Sequence, residues 1–160
     1  MPQLSAGILM YRVTGGTPEV LLVHPGGPYW KNKDDGAWSV PKGLYEPGED
    51  AVAAAKREFA EETGASVTGA CIPLGDFRQP GGKVVTAFAV EGGFDLAAFR
   101  SNTFAMEWPP KSGRTATFPE ADRAAWLTLD AARAKIVKGQ TPILAALHVH
   151  LTGRTALTPR

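Results

Sequence analysis

The sequence has little of the material from which several classes of protein are built. It holds a single cysteine, Cys71, which excludes a disulfide within the chain and favours a reducing compartment. Its formal net charge is only +1, so no basic field favours nonspecific binding to nucleic acid or to an anionic membrane. No apolar run approaches the length of a membrane span, and the N-terminal run AGILMY lacks a preceding basic region. We therefore expect a cytoplasmic protein with neither nucleic acid nor membrane as its partner.

The chain does have enough apolar material for one core. Of its 160 residues, 44% are hydrophobic and 21% are charged, which is typical of an ordinary globular domain. Because no repeat or linker divides the sequence, we expect a single domain over residues 1–153 and a frayed tail over residues 154–160. Cys71 has apolar or neutral neighbours and is interpreted as a packing residue rather than a nucleophile.

Strand and helix patterns follow one another along the chain and predict an α/β protein. Two polar stretches, residues 25–36 and 109–120, are predicted to be long loops because they are rich in Gly, Pro and polar residues. Strands before and after one helix, with two helices at the end, favour a mixed sheet sandwiched by helices. The predicted strands are LSAGILMYRV, EVLLVHP, AWSV, SVTGACIPLGDFRQ, KVVTAFAVEG, FAMEW and RAAWLTL, and the helices are AVAAAKREFAEE, LDAARAKI and QTPILAALHVHL.

The first predicted helix carries an unusual concentration of acids. Glu49 and Asp50 suit its first turn, and Gly64 supplies a stop. At about 100° per residue, three carboxylates fall on one side of the helix and repel one another, namely Glu58, Glu61 and Glu62. Val52, Ala55 and Phe59 face the opposite side and predict the stripe that docks on the core, while Ala51 and Ala54 lie beside the acids and leave room for a ligand.

The spacing around these acids is the most specific signal in the chain. Gly43 is followed after five residues by Glu49, and after seven more by the run Arg57-Glu58-Phe59. One residue separates that run from Glu61-Glu62, and one more separates those from Gly64-Ala65. This order matches every position of the Nudix box, G-x5-E-x7-R-E-U-x-E-E-x-G-U, in which U is bulky or apolar. The chain therefore resembles the Nudix hydrolases. A solvated helix face with an Arg57–Glu61 pair is the alternative for the acids alone.

The resemblance implies a Nudix-type α/β/α sandwich and a metal site on the box helix. Glu58, Glu61 and Glu62 would bind Mg2+ or Mn2+, which prefer hard oxygen ligands, and the cation would remove the repulsion among them. A backbone carbonyl near Lys42 or Gly43 would add a further oxygen. Glu58 or Glu61 would also orient or deprotonate the attacking water.

Other members of the box are assigned supporting roles by the same resemblance. Arg57 would reach back to Glu49 and hold the loop and helix in one geometry, and Gly43, Glu49 and Gly64 would be structural. Many relatives add an acid from outside the box. Here either Glu120 or Asp122, just before a predicted strand, would reach the metal, and Glu120 is preferred.

The two long loops are predicted to contribute substrate contacts, because loops held by a rigid sheet often carry binding residues. An exposed aromatic could stack on a base while nearby cations bind phosphate oxygens. The alternative is that the aromatics cover the sheet and the cations are solvated. The residues concerned are Trp30, Lys31 and Lys33 in the first loop and Lys111 and Arg114 in the second; Lys42, beside the box, would face the phosphates.

The reaction implied is hydrolysis of a diphosphate linkage in a nucleoside diphosphate joined to a moiety X. The motif Pro-Lys-Gly that runs into the box is similar to the diadenosine polyphosphate hydrolase branch, so a dinucleoside polyphosphate is the preferred substrate. Alternatives are a (deoxy)nucleoside triphosphate pyrophosphohydrolase and a Nudix-fold regulator that binds a nucleotide without cleaving it. His24, His148 and His150 are predicted to take no part. The identity of X and the oligomeric state stay open.

Overall fold

The computed structural model describes residues 3–153, so the expected tail over residues 154–160 lies outside the described residues. Strands precede and follow the first helix, as the pattern predicts, and two helices close the described chain. The strands are β1 Leu4–Thr14, β2 Thr17–Pro25, β3 Lys42–Tyr45, β4 Ile72–Arg78, β5 Val84–Glu91, β6 Thr103–Glu107, β7 Thr115–Pro119 and β8 Ala121–Thr128. The helices are α1 Ala51–Thr63, α2 Leu129–Lys135 and α3 Thr141–Thr152, with short 3-10 turns at Leu96–Ala98 and Lys138–Gln140.

The main sheet is mixed and is organised around β1. Its strand order is β4-β5-β1-β2-β8, with β1 parallel to β5 and the other neighbours antiparallel. Along one edge, β1 pairs with two strands in turn: Leu4–Gly7 meet β3, and Tyr11–Thr14 meet β2. Just before β3, Ser39 forms an isolated bridge with Val23, so the chain that enters β3 lies beside the end of β2.

The core lies on both faces of this sheet, because β1 alternates between two layers of side chains. Leu9 and Tyr11 pack with α2 and α3 on one face, whereas Ile8 and Met10 pack with α1 on the other. Helices thus cover both faces of a mixed sheet. This single α/β domain is the predicted α/β/α sandwich, and Cys71 packs at the edge of the α1 layer as a partly buried side chain.

Two local predictions were wrong. Residues 109–120 are not one long loop, since β7 pairs antiparallel with β6 to form a separate two-stranded hairpin. The run TATFP alternates exposed and half-buried side chains, but the preceding PPKSGR obscured that short pattern. The run AWSV is not a strand either; it makes only isolated bridges, Trp38 with Ile136 and Ser39 with Val23. Within residues 3–153, no helix is long and apolar enough to cross a membrane.

Candidate active site

Helix α1 positions the acidic cluster, and both of its ends are fixed by local chemistry. Asp50 is the N-cap rather than a first-turn residue, and its carboxylate accepts from the Ala53 N–H at 3.1 Å. Gly64 ends the helix in the left-handed conformation with φ of 84°, and its N–H donates to the Ala60 carbonyl. Phe59 is fully buried, as predicted, but so is Ala54, which belongs to the core rather than to a space beside the acids.

Strand β3 passes so close to α1 that any side chain at position 43 would displace Glu58. A Cβ built on Gly43 would lie 1.8 Å from Oε1 of Glu58 and 2.1 Å from its Cδ. The Glu58 carboxylate therefore occupies the space that a side chain at position 43 would need. Its side chain is only 14% exposed, and burial raises the pKa of the Glu58 carboxyl, against the Arg57 hydrogen bond, which lowers it.

Arg57 joins several parts of the box through one guanidinium group. It donates to the Glu49 carboxylate, so the predicted contact between the loop and the helix is present. The same group donates to Glu58 at 3.2 Å and to the Leu44 carbonyl at 3.4 Å, and its Nε lies 3.8 Å from Glu61. The Arg57 and Glu49 side chains are 42% and 30% exposed, so solvent weakens each pair without breaking the geometry.

Glu62 faces inward beside Lys42 on the neighbouring strand. Burial, together with repulsion from Glu120 and Glu58 and against the pull of Lys42, raises the pKa of Glu62 to about 8. Burial lowers the pKa of Lys42 as well, although Glu62 opposes that shift. The fold thus disfavours negative charge at this point unless a cation is near.

The two candidate acids at the start of β8, Glu120 just before the strand and Asp122 within it, have different neighbours. Glu120 is exposed just before the strand and acts electrostatically on both Glu58 and Glu62, raising the pKa of each. Asp122 instead has its Oδ1 2.8 Å from Nδ1 of His24. Glu120 is therefore the one of the two that the fold directs toward the box helix.

A cavity of about 540 Å³ is lined by residues at the end of β2 and the start of β3, and Glu62 is the member of the acidic face Glu58, Glu61 and Glu62 that lines it. Two carboxylate residues, Glu62 and Glu120, line it together with Lys42 and Trp30. Two further lysines, Lys83 and Lys138, line it together with polar groups of Gln79 and Gln140. Among the ion pairs found within residues 3–153, none involves Lys42, Lys83 or Lys138. Three lysines at one cavity make it suitable for a polyanion.

The sequence did not indicate that Lys83 and Lys138 belong to the site. In turn, not every cation that the sequence predicted as a substrate contact lines the cavity. Lys83 follows the β4–β5 turn and Lys138 lies between α2 and α3, so only the fold brings them together. Lys31, Lys33, Lys111 and Arg114 do not line the cavity, although Trp30 and Lys42 do. Phosphate contact by those four stays a prediction.

The loop over residues 26–36 and the β6–β7 hairpin pack together outside the cavity. Tyr29 meets Trp108 edge to face, with ring centroids 5.4 Å apart, and Gly27 lies against the Phe104 ring. Lys33 Nζ lies 5.3 Å from the centroid of the Trp30 ring, which is 40% exposed. The ring is therefore held near the cavity and still has a free face.

The donor chemistry of the acidic face fits a hard divalent cation. Three carboxylates of one helix lie on the same side, and Glu120, just before β8, acts on two of them. Within residues 3–153, no three His, Cys, Asp or Glu side chains form a ready metal cage. Here Arg57 contacts two of the helix acids and Lys42 lies beside the third, so binding would rearrange side chains rather than the backbone.

Comparison with known proteins agrees with this architecture. The Ap4A hydrolase of C. elegans, solved as a binary complex, is 22% identical with a TM-score of 0.66, over 93% of this chain and 98% of that one. A mutT/nudix family protein from Listeria innocua is 21% identical with a TM-score of 0.63, over 96% of each chain. The NUDIX domain of Shewanella oneidensis NrtR, solved with ADP ribose, is 15% identical with a TM-score of 0.64, over 94% of this chain and 89% of that one.

These identities are low, so the three structures establish a shared fold and nothing finer. No curated protein sequence matches the chain. The NUDIX domain family model, however, matches residues 1–147, which is most of the chain. The chain therefore belongs to the Nudix family and, with every position of the box in place, is a Nudix pyrophosphohydrolase acting on phosphoric anhydrides.

Proposed function

We propose that the protein hydrolyses a diphosphate linkage in a nucleoside diphosphate joined to X, and that a dinucleoside polyphosphate is its substrate. The observation that carries this proposal is the composition of the cavity. An aromatic ring, three lysines and two carboxylates line one space of about 540 Å³. A nucleotide needs the same three elements, which are a surface for its base, cations for its phosphates and acids to hold a divalent ion.

The number of lysines favours a long phosphate chain. A single diphosphate carries fewer negative charges than a polyphosphate, and each charge-assisted contact adds to affinity only where a phosphate oxygen is present to accept it. Lys42 lies next to Glu62, whereas Lys83 and Lys138 belong to other parts of the lining. A chain of several phosphates would contact all three lysines at once. The motif Pro-Lys-Gly before the box supports the same substrate class.

Each residue of the acidic face is assigned a role in this reaction. Glu58, Glu61, Glu62 and Glu120 would hold Mg2+ or Mn2+, which when bound supplies charge neutralisation on the phosphates and a lower pKa for water. Glu58 or Glu61 orients the attacking water and accepts its proton. Arg57 keeps Glu58 in place through its bonds to Glu49 and Leu44. Lys42 contacts the phosphate on which charge develops.

The catalytic alternative is a (deoxy)nucleoside triphosphate pyrophosphohydrolase, because a mononucleotide needs the same lining. A panel of diadenosine polyphosphates, nucleoside triphosphates and ADP-ribose, assayed with Mg2+ and with EDTA, separates these alternatives when products are identified. We expect turnover only with the metal, and highest kcat/KM for a dinucleoside polyphosphate, which should give two mononucleotides that together hold all of its phosphates. A higher kcat/KM for nucleoside triphosphates would refute the proposal that a dinucleoside polyphosphate is the substrate. Tight binding without turnover in Mg2+ would favour a nucleotide-binding regulator.

A further inference from the structure

His24 is a fully buried polar side chain that the proposed chemistry does not use. It lies near the end of β2, with its ring edge to face against Trp38 at a centroid distance of 5.3 Å. Both ring nitrogens are engaged. Nδ1 lies 2.8 Å from the Asp122 carboxylate, and Nε2 lies 2.5 Å from the Lys33 carbonyl oxygen.

These partners fix the orientation of the ring. A backbone carbonyl can only accept, so Nε2 donates to Lys33. Asp122 is partly exposed, and the Arg123 Nε lies 3.5 Å from the same carboxylate oxygen that contacts Nδ1. The buried ring is therefore hydrogen-bonded at both nitrogens, to a backbone group on one side and to a side chain on the other.

The two hydrogen bonds lead to two segments that each carry a lining residue of the cavity, Trp30 in one and Glu120 in the other. Lys33 belongs to the loop that carries Trp30, and the Lys33 N–H donates to the Trp30 carbonyl at 2.9 Å. Asp122 lies two residues beyond Glu120 at the start of β8, and the Glu120 carbonyl accepts from the Gly26 N–H at 2.9 Å. His24 thus links the loop bearing the aromatic ring to the strand that follows the acid.

The rest of the loop is held by the packing of Tyr29 on Trp108 and by polar contacts at its far end. The Trp38 Nε1–H donates to Asp34 at 2.8 Å, and Asp34 also pairs with Lys135 of α2. Between that anchor and Gly26, the buried bond from His24 to Lys33 holds the segment directly to the sheet.

We propose that His24 is a positioning residue: its two ring nitrogens tie the Lys33 carbonyl to Asp122 and thereby fix the loop over residues 26–36, so that Trp30 is presented at the cavity. The role of Trp30 in this statement rests on the proposed function. The effect of His24 on the loop is independent of any substrate.

Two variants separate the ends of this link. His24→Asn leaves an N–H near the position of Nδ1 and removes the donor to Lys33, whereas His24→Gln places an N–H near the position of Nε2. Hydrogen exchange of residues 26–36 is measured by mass spectrometry without nucleotide, with His150→Asn on the exposed face of α3 as the control. We expect exchange about 10-fold faster or more in His24→Asn, with partial rescue in His24→Gln and no change in the control. Unchanged exchange in His24→Asn would overturn the proposal.

Kinetics with the nucleotide that is turned over provide the second readout. His24→Asn should raise KM by about 5- to 10-fold with kcat less affected, because the lost contact is base stacking. In a Trp30→Ala background the same substitution should raise KM little further. If the effects of His24→Asn and Trp30→Ala on KM are fully additive, His24 does not act through Trp30. If no nucleotide is hydrolysed while the loop still exchanges faster, the proposed function fails and the positioning role of His24 stands.

A destabilised His24→Asn would not end the test, because Asp122 offers a milder route. Asp122→Ala removes the partly exposed hydrogen-bond partner of Nδ1 and leaves the buried ring in place. Faster exchange over residues 26–36 in this variant supports the link. Exchange equal to that of the wild type contradicts it.

Discussion

Gly43→Ala should nearly abolish turnover while leaving the fold intact. The new Cβ would lie 1.8 Å from Oε1 and 2.8 Å from Cγ of Glu58, whereas ordinary van der Waals contact begins near 3.4 Å. The carboxylate must therefore move by roughly 1.5 Å or more, and a misplacement of about 1 Å near reacting groups can cost about 100-fold. We expect kcat to fall by about 100-fold or more.

The cost to stability should be small because the obstructed atoms belong to a flexible side chain and not to the backbone. Gly43 does not have a positive φ, so alanine adds no backbone strain and restricts the unfolded chain, which favours folding by about 0.4 to 1 kcal/mol. Loss of the Arg57–Glu58 pair costs about 0 to 1 kcal/mol. These contributions nearly cancel, so the Tm should shift by no more than about 2 to 4 °C.

The matched control is Gly93→Ala. Gly93 is exposed, has no atom within 4 Å of its built Cβ and does not have a positive φ, so this variant should keep wild-type rates and Tm. Initial rates and thermal melts are compared in both variants and in Glu58→Gln. If displacement of Glu58 is the cause, Gly43→Ala added to Glu58→Gln should lower kcat little further. A folded Gly43→Ala protein with wild-type kcat would refute the reasoning.

Three further predictions concern the charges around the site. Glu58→Gln should lower kcat by about 100-fold. The free energy of unfolding of the metal-free variant, from thermal melting in EDTA, should stay within about 1 kcal/mol of wild type, because burial already disfavours the charged form of Glu58. A much lower Tm would reveal that Glu58 makes a structural contact instead. Arg57→Ala should lower the free energy of unfolding by only about 1 kcal/mol, since the ion pairs of Arg57 are partly exposed. A loss above about 3 kcal/mol in denaturant melts would show that these ion pairs stabilise the fold more than their exposure suggests. Replacing Lys83 or Lys138 of the cavity by Ala should lower kcat/KM more on diadenosine pentaphosphate than on ADP-ribose, because the longer chain offers more phosphates to bind. Equal losses on the two substrates would show that these lysines do not bind phosphate. The same comparison is made with alanine variants of the cations outside the cavity, namely Lys31, Lys33, Lys111 and Arg114.

The parts of the site that sequence could predict are those set by local spacing. Helix periodicity placed Glu58, Glu61 and Glu62 on one face, and the box predicted the contact between Arg57 and Glu49, eight positions apart. Gly43 could be predicted as a box position, but the reason that glycine is needed there, the proximity of Glu58, is visible only in three dimensions.

The parts that could not be predicted depend on contacts between distant segments. His24 and Asp122 are 98 positions apart, and nothing in a run such as EVLLVHP shows that its histidine is buried between an acid and a carbonyl. Lys83 and Lys138 reach the same cavity from opposite parts of the chain. The strand β7 was missed because five residues that follow a Pro- and Gly-containing turn give too short a pattern.

The most direct test of the central claim is a Mn2+ titration without nucleotide, followed by the EPR signal of the free ion. The central claim is that the acidic face of α1 binds the divalent cation on which hydrolysis depends. Wild-type protein should remove free Mn2+ from solution until its sites are filled, and a variant with Glu58, Glu61 and Glu62 all changed to Gln should remove far less. Equal binding by the two proteins, or hydrolysis by wild type that persists in excess EDTA, would contradict the account.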